Sequence, residues 1–527
     1  MWHMQEQNPV LLLIVVSLGF VALRLLQYGK RPKGLPPGPP TLPVIGNLHQ
    51  MPTKNFHLEF QKLAHQYGPI VSLKLGGQTL ILLNDPAVVR DLLEKRSNVY
   101  SKRPDLYIRE FTDGLNIRKL YHVRLNVKSA DAFLPYQHFD GLQLLHDLVQ
   151  RPDSWVEHIR RYTASVSTTL LYGFRTPTTG EGHVAALLKW MDLTSAAINF
   201  KLIDFYPFLR PIYRLLPTWL SSDKKKLKQI QKLEDEVFFD LLDRCKNLIA
   251  TGKNYPSFTR DMLMDRDNDK LSDRQIAHNA GHGFGAGMDT SANTLLGFVK
   301  AMILHPEVQA KGQAELDACI SSGRLPMWED RQALPYIRSI VEETLRWAPS
   351  PISGAVPHSV KRDDVYNGMT IPKDSIVMMN IWSLNHNHVK NSRVFDPERH
   401  SADSTLHENW AITQDSSQRP HFTFGAGRRV CPGFHVAERN LFIAISRILW
   451  GFSINRAVDM NGRPTPIDRD AVTPGMIVRP QSFECRIQPR DSAKVELIRE
   501  LWKSAEKDLD VDGNFTEDFF DRCFLRS

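Results

Sequence analysis

Residues 424–433 read Phe-Gly-Ala-Gly-Arg-Arg-Val-Cys-Pro-Gly, and they set one cysteine, Cys431, between a glycine-rich turn and an apolar helix predicted over residues 434–450. A thiolate at a helix N-terminus lies in the positive end of the dipole, which lowers its pKa and favours the anion. Pro432 suits the first helical position, where its missing N–H costs nothing. Gly425, Gly427 and Gly433 permit close backbone approach to something large and flat. Arg428 and Arg429 bring cations to its rim. A buried structural cysteine is the plainer alternative for this loop taken alone.

A second stretch with chemical potential lies in a long helix predicted over residues 278–300. Gly281, Gly283, Gly285 and Gly287 fall inside it, and glycine costs roughly 0.8–1 kcal/mol against alanine in a helix, so each needs a reason. A planar group packed on that face supplies one. The Thr290 hydroxyl can bond back to the carbonyl of Ala286 and open a polar notch beside Asp289. His278 and His282 share a face at i, i+4 and could hold zinc, but the sequence offers no paired glutamate or further ligand nearby. The glycines do not form Gly-x-Gly-x-x-Gly after a strand, which excludes a dinucleotide fingerprint. Glu343 and Arg346 sit at i, i+3 on one face of another helix.

The pattern Phe-x-x-Gly-x-Arg-x-Cys-x-Gly resembles the haem-thiolate signature of the cytochrome P450 family. The resemblance implies that Cys431 is the axial iron ligand of haem b, within a cofactor loop that includes Phe424, Gly427 and Gly433. It also implies that Arg429 and His358 face haem propionates. Asp289 and Thr290 resemble the acid–alcohol pair through which the family delivers protons to iron-bound oxygen. Glu343 and Arg346, with Arg399 from the Phe-Asp-Pro-Glu-Arg stretch at 395–399, resemble the buried network behind the thiolate. The implied fold is mainly α with a smaller β-rich region. One departure stands out: the stretch 113–124 has no tryptophan where the family carries Trp-x-x-x-Arg, and it looks shortened. Either Arg118 or Arg124 is left to reach a propionate, and loss of such a contact weakens haem retention by on the order of 1–3 kcal/mol.

The elements that must position these residues follow in order. Residues 10–26 are one apolar run, interrupted by Ser17, Gly19 and Arg24, and are expected to cross a membrane with the basic residues Lys30, Arg31 and Lys33 on the cytosolic side. A proline-dense hinge then leads into a single catalytic domain, giving an anchor at 1–29, a hinge at 30–49 and the domain at 50–527. Residues 70–83 predict a hairpin around Gly76 and Gly77, Asp85 caps the next helix, and Ser222-Asp223 open a helix with a basic first turn. Asp508, Asp510 and Asp512 mimic half a calcium loop, but Phe519 stands where the bidentate glutamate belongs.

The 527 residues are 42% apolar, with net charge +8. That modest, dispersed positive charge suits lipid headgroups or an acidic protein partner, and no nucleic-acid motif accompanies it. Five scattered cysteines argue for a reducing compartment. The expectation is a single-pass endoplasmic reticulum monooxygenase, its catalytic domain in the cytosol, that hydroxylates or epoxidises a small apolar secondary metabolite. Its electrons would come from NADPH-cytochrome P450 reductase, docking on a basic face near Arg428 and Arg439. Two alternatives stay open: an O2-independent haem-thiolate isomerase or dehydratase, and a non-catalytic, haem-poor scaffold suggested by the shortened stretch.

Overall fold

The computed structural model describes residues 9–52, 55–111, 118–180, 182–198, 202–387, 389–400 and 419–525. The helices that matter for function are α1 (Pro9–Gln27), α2 (Arg118–Arg124), α3 (Leu134–Gln150), α4 (Trp155–Tyr172) and α5 (Gly182–Ile198). They continue with α6 (Ser222–Ala250), α7 (Asp273–Leu304), α8 (Pro306–Cys319), α9 (Pro335–Trp347) and α10 (Phe434–Gly451).

The 32 residues of α7 make a rod of about 48 Å. A reciprocal capping box starts it: Ser272 accepts from the Gln275 N–H, and the Gln275 side chain accepts from the Ser272 N–H. Helices α4, α6, α9 and α10 all pack on α7, so it forms the axis of the helical core. Helix α10 is buried along most of its length and is wedged among α3, α7, α8 and α9. That wedge fixes the loop immediately before it.

The β-rich part is small. Strands β1 (Ile70–Leu75) and β2 (Gln78–Leu83) form the predicted hairpin, with Gly76 at φ +55° in the turn. With β3 (His358–Ser359) and β6 (Ile376–Met379) they make a sheet of order β1-β2-β6-β3, in which only the β2–β6 pair is parallel. Strands β4 (Asp364–Tyr366) and β5 (Met369–Ile371) form a separate ribbon between them, and β7 (Phe452–Arg456) pairs with β8 (Cys485–Pro489). Asp85 caps the segment after β2 by accepting from the Ala87 and Val88 N–H groups. The helix predicted to start at Ser222-Asp223 is capped one residue earlier, by Ser221.

The expectation of a membrane-spanning segment finds no support. Helix α1 has 19 residues, a length of about 28 Å against roughly 30 Å of hydrocarbon, and Ser17 and Gly19 dilute its apolar character. Among the described residues no helix is long and apolar enough to cross a membrane. Leu13, Val16 and Leu23 of α1 are nevertheless exposed. The proline-dense stretch after it is tied down on β1, with Arg31 donating to the Ser72 Oγ at 2.6 Å and Asn47 accepting from the Lys74 N–H at 2.8 Å.

Candidate functional site

The cysteine loop is built by its own backbone. The Cys431 N–H donates to the Phe424 carbonyl at 2.8 Å, Gly425 N–H to Phe422 at 2.8 Å, and Val430 N–H to Gly427 at 3.1 Å. Phe424, Val430 and Phe434 cluster with the half-buried Cys431. Helix α10 begins at Phe434, with Gly433 as its cap, so Pro432 lies in the preceding turn and not at the first helical position. The thiol also departs from expectation. Burial pushes it up from its ordinary value, while the Gly433 N–H and then Arg118 pull it down. Desolvation outweighs the helix terminus here, so anionic sulfur at this position calls for a stronger cation than Arg118 alone.

One of the loop glycines serves an end other than the one expected. A Cβ on Gly427, which sits at φ +60°, would lie 2.0 Å from the Leu93 carbonyl oxygen, so its side-chain space is taken by protein backbone. Gly433 has open space around its missing Cβ. The glycines of α7 likewise face neighbouring helices. A Cβ would meet the Phe238 ring at Gly281, Leu171 and Tyr121 at Gly283, Trp190 at Gly285 and Ser167 at Gly287. Close helix packing fills the space at that row.

Around the cysteine loop the structure gathers cations. Arg118 donates to the Val430 carbonyl, Arg429 Nε to the Ser101 carbonyl at 3.0 Å, and Arg103 to the Pro357 carbonyl at 3.0 Å. Among the described residues these guanidiniums spend their hydrogen bonds on backbone carbonyls. Burial pushes Arg103 down to about 10, with further depression from Arg429, Arg118 and Arg109. His358 is buried on β3 and bonded through Nδ1 to the Tyr100 carbonyl at 2.9 Å; burial and then Arg103, Arg429 and Arg118 hold it near 4, in the neutral form. Three mutually repelling guanidiniums beside the cysteine loop make a site built for a metal-bearing dianion. A haem with two carboxylates fits that donor set. Arg124 is not part of it, because it pairs with Asp265 at 2.9 Å. The residues from Asp113 to Ile117 lie outside those described. Arg103 was missed by sequence reading, since nothing local marks an arginine in a loop some 330 residues before the cysteine.

Behind the loop, Arg346 grips Glu343 with two bonds of 2.7 Å, both residues fully buried. Arg399 lies 3.5 Å from the same carboxylate, and His400, unforeseen from the sequence, reaches it at 2.9 Å. The Asp396 N–H adds a fifth contact at 2.9 Å. Burial opposes ionisation of Glu343, yet Arg346 and His400 hold it down near 2. Arg346 in turn donates to the Asn385 and Ser392 carbonyls, which ties α9 to the meandering chain ahead of the cysteine loop.

On α7, the Thr290 hydroxyl donates to the Ala286 carbonyl at 2.7 Å, and Ala286 and Gly287 are exposed in mid-helix between buried neighbours. Asp289 accepts from Asn293 Nδ2 at 3.0 Å. Its carboxyl is pushed up by burial, against the pull of Arg479, Asn293 and Arg160. Ser350 and Val478 bond to each other in both directions at 2.9 Å. The expected basic docking face changes as well. Arg428 is exposed, but Arg439 is buried under Trp328 and donates to Asp131 at 2.9 Å, so it is no surface cation. In the C-terminal acidic turn, Asp510 accepts from the Asp512 and Asn514 N–H groups and pairs with Lys253, and Asp508 pairs with Arg522.

Comparison with known proteins follows the same lines. The profile of the family described as Cytochrome P450 matches residues 36–120 and 141–483. The chain is 37% identical over 523 residues to the cytochrome P450 monooxygenase virE of Hypocrea virens, covering 95% of this chain and 94% of that one. It is 36% identical over 529 residues to the cytochrome P450 monooxygenase fogE of Aspergillus ruber, covering 95% of each. In fold it is similar to a zebra fish cytochrome P450 solved with progesterone, at TM-score 0.66 and 22% identity, over 82% of this chain and 99% of that one.

Proposed function

The chain belongs to the cytochrome P450 family and is a monooxygenase with a haem held by cysteine thiolate, and on that premise we propose that it hydroxylates or epoxidises a small apolar secondary metabolite with electrons from an NADPH-dependent reductase. In this reading Cys431 supplies the thiolate, and the haem supplies the iron at which dioxygen is reduced. Arg103, Arg118 and Arg429, with neutral His358 beside them, hold the two carboxylates. The observation that carries the reading is this cluster of guanidiniums beside the cysteine loop, their hydrogen bonds spent on carbonyls.

The remaining groups move or hold protons. Asp289, pushed up by burial, retains a proton more readily than an ordinary carboxyl and is bonded to Asn293. Thr290, anchored on the Ala286 carbonyl, presents its oxygen in the notch and passes that proton on. Glu343, Arg346, Arg399 and His400 take no part in chemistry; they hold the chain around Cys431 in place. Exposed Arg428 supports docking of an acidic reductase surface.

We place the protein on the endoplasmic reticulum membrane, its catalytic domain in the cytosol. Support comes from the exposed apolar residues of α1 together with Leu202, Ile212, Leu215 and Trp219. Tyr28, just beyond α1, stacks on Tyr206 at 5.6 Å and joins the two apolar surfaces. Recovery of the protein in the soluble fraction without detergent would sink this placement.

The deciding experiment is the carbon monoxide difference spectrum of the reduced protein. The red-shifted Soret band of thiolate ligation is expected, and it should vanish in Cys431→Ala. A preparation that takes up no haem would instead favour the haem-poor scaffold. Product formation that needs neither NADPH nor O2 would favour an isomerase or dehydratase.

A further inference from the structure

Away from the cysteine loop, α6 and α7 face each other across a cluster that the monooxygenase reaction leaves unused. Glu234 on α6 is fully buried, and its Oε1 lies 3.0 Å from His278 Nδ1 and 3.3 Å from His282 Nε2, both on α7. The three ligand atoms all fall within 4.8 Å of one another. The i, i+4 histidine pair was visible in the sequence without a third ligand, because Glu234 comes from a different helix, 44 residues upstream of His278.

We propose that Glu234, His278 and His282 form a binding site for a divalent transition metal, zinc by its ligand set, that clamps α6 onto α7. Two imidazole nitrogens and a carboxylate are the donors of three-ligand zinc sites, with water in the fourth position. Both nitrogens converge on a single point, the present position of Oε1. Retreat of the carboxylate by about 1 Å, with a comparable closure of the rings, puts an ion about 2.0–2.1 Å from all three atoms.

The surroundings are those of a built site. Asp235 accepts from His278 Nε2 at 3.1 Å, which leaves Nδ1 as the lone-pair nitrogen turned toward the ion. Trp190 Nε1 donates to Glu234 Oε2 at 3.2 Å and fixes the carboxylate from its other side. Arg274 holds Asp235 at 3.1 Å. The Phe238 ring, let in by Gly281, packs 5.5 Å from the His278 ring and 5.3 Å from the His282 ring and stiffens both. An entry path exists as well: the His282 side chain is 24% exposed, whereas those of His278 and Glu234 are sealed at 2% and 1%.

The test uses the haem-loaded full chain, stripped of adventitious metal and dialysed against zinc sulfate, with bound zinc counted by mass spectrometry and melting followed optically. One zinc per chain is expected, with a melting temperature raised by about 2–4 °C at saturating zinc. His282→Ala should weaken binding at least about a hundredfold while keeping the carbon monoxide spectrum, and Asp235→Asn about ten- to a hundredfold. His65→Ala, at an exposed histidine remote in sequence, should leave it unchanged. Should His282→Ala fail to fold, Asp235→Asn at the half-buried rim reads the same quantity. Zinc well below one per chain would overturn the proposal, and so would equal affinity in wild type, His282→Ala and Asp235→Asn.

Discussion

The two faces of the proposed site are held in opposite ways. On the side of Cys431, the loop has three internal backbone bonds, a bidentate Arg346–Glu343 pair and further clasps from Arg399 and His400. On the side of α7, Thr290 has one bond to Ala286 and Asp289 one to Asn293. The first face must keep a sulfur ligand in one place in a buried setting that raises its thiol pKa. On the proposed function the second exchanges protons, and a hydroxyl tied by several bonds could not turn to do so. On that reading, over-determination goes with the ligand and sparse bonding with the relay.

Several substitutions break or sharpen that contrast. Cys431→Ala removes the ligand itself and should abolish the thiolate Soret band and all turnover. Arg346→Ala leaves Glu343 charged and buried without its main partner; a destabilisation of about 3–5 kcal/mol is expected in denaturant melts, along with lost haem occupancy. On the sparse side, Thr290→Ala should leave folding and the Soret band intact yet cut product formation about a hundredfold, near 2.7 kcal/mol, with electrons diverted to peroxide. Equal loss of stability in Thr290→Ala and Arg346→Ala would erase the distinction between the faces.

Smaller effects refine it. Arg118→Ala should weaken haem retention by about 1–3 kcal/mol, measured as transfer to apomyoglobin, whereas Arg124→Ala should leave it unchanged. The Glu343 clasp also has a pH signature. Its carboxyl is held near 2 when folded, below its ordinary value of 4.5. Its contribution is therefore fully present above about pH 4.5 and is lost as pH falls from there toward 2. Acid melts of Glu343→Gln should accordingly be flatter than wild type across that window.

What could be read from the sequence followed chain locality. The hairpin, the long helix, the Thr290–Ala286 bond and the Glu343–Arg346 pair each depend on residues within a few positions of one another, where spacing encodes geometry. Arg103, His400 and Glu234 come from distant segments, and no spacing rule announces them. The glycines misled for a different reason. A missing side chain declares that something comes close without saying what, and at Gly281 and Gly427 it is a neighbouring ring and a carbonyl. The helix terminus that pulls the Cys431 thiol down was visible in the sequence, while the burial that pushes it up was not.

The contact of Gly427 with the Leu93 carbonyl joins the cysteine loop, which leads into the helical core, to a segment that packs in the smaller core beneath the sheet. The sulfur is thus surveyed from two blocks of the molecule at once. Mild heating that lets these blocks shear should shift the absorption of the bound haem before either block melts, so colour would serve as the molecule's own early gauge of wear.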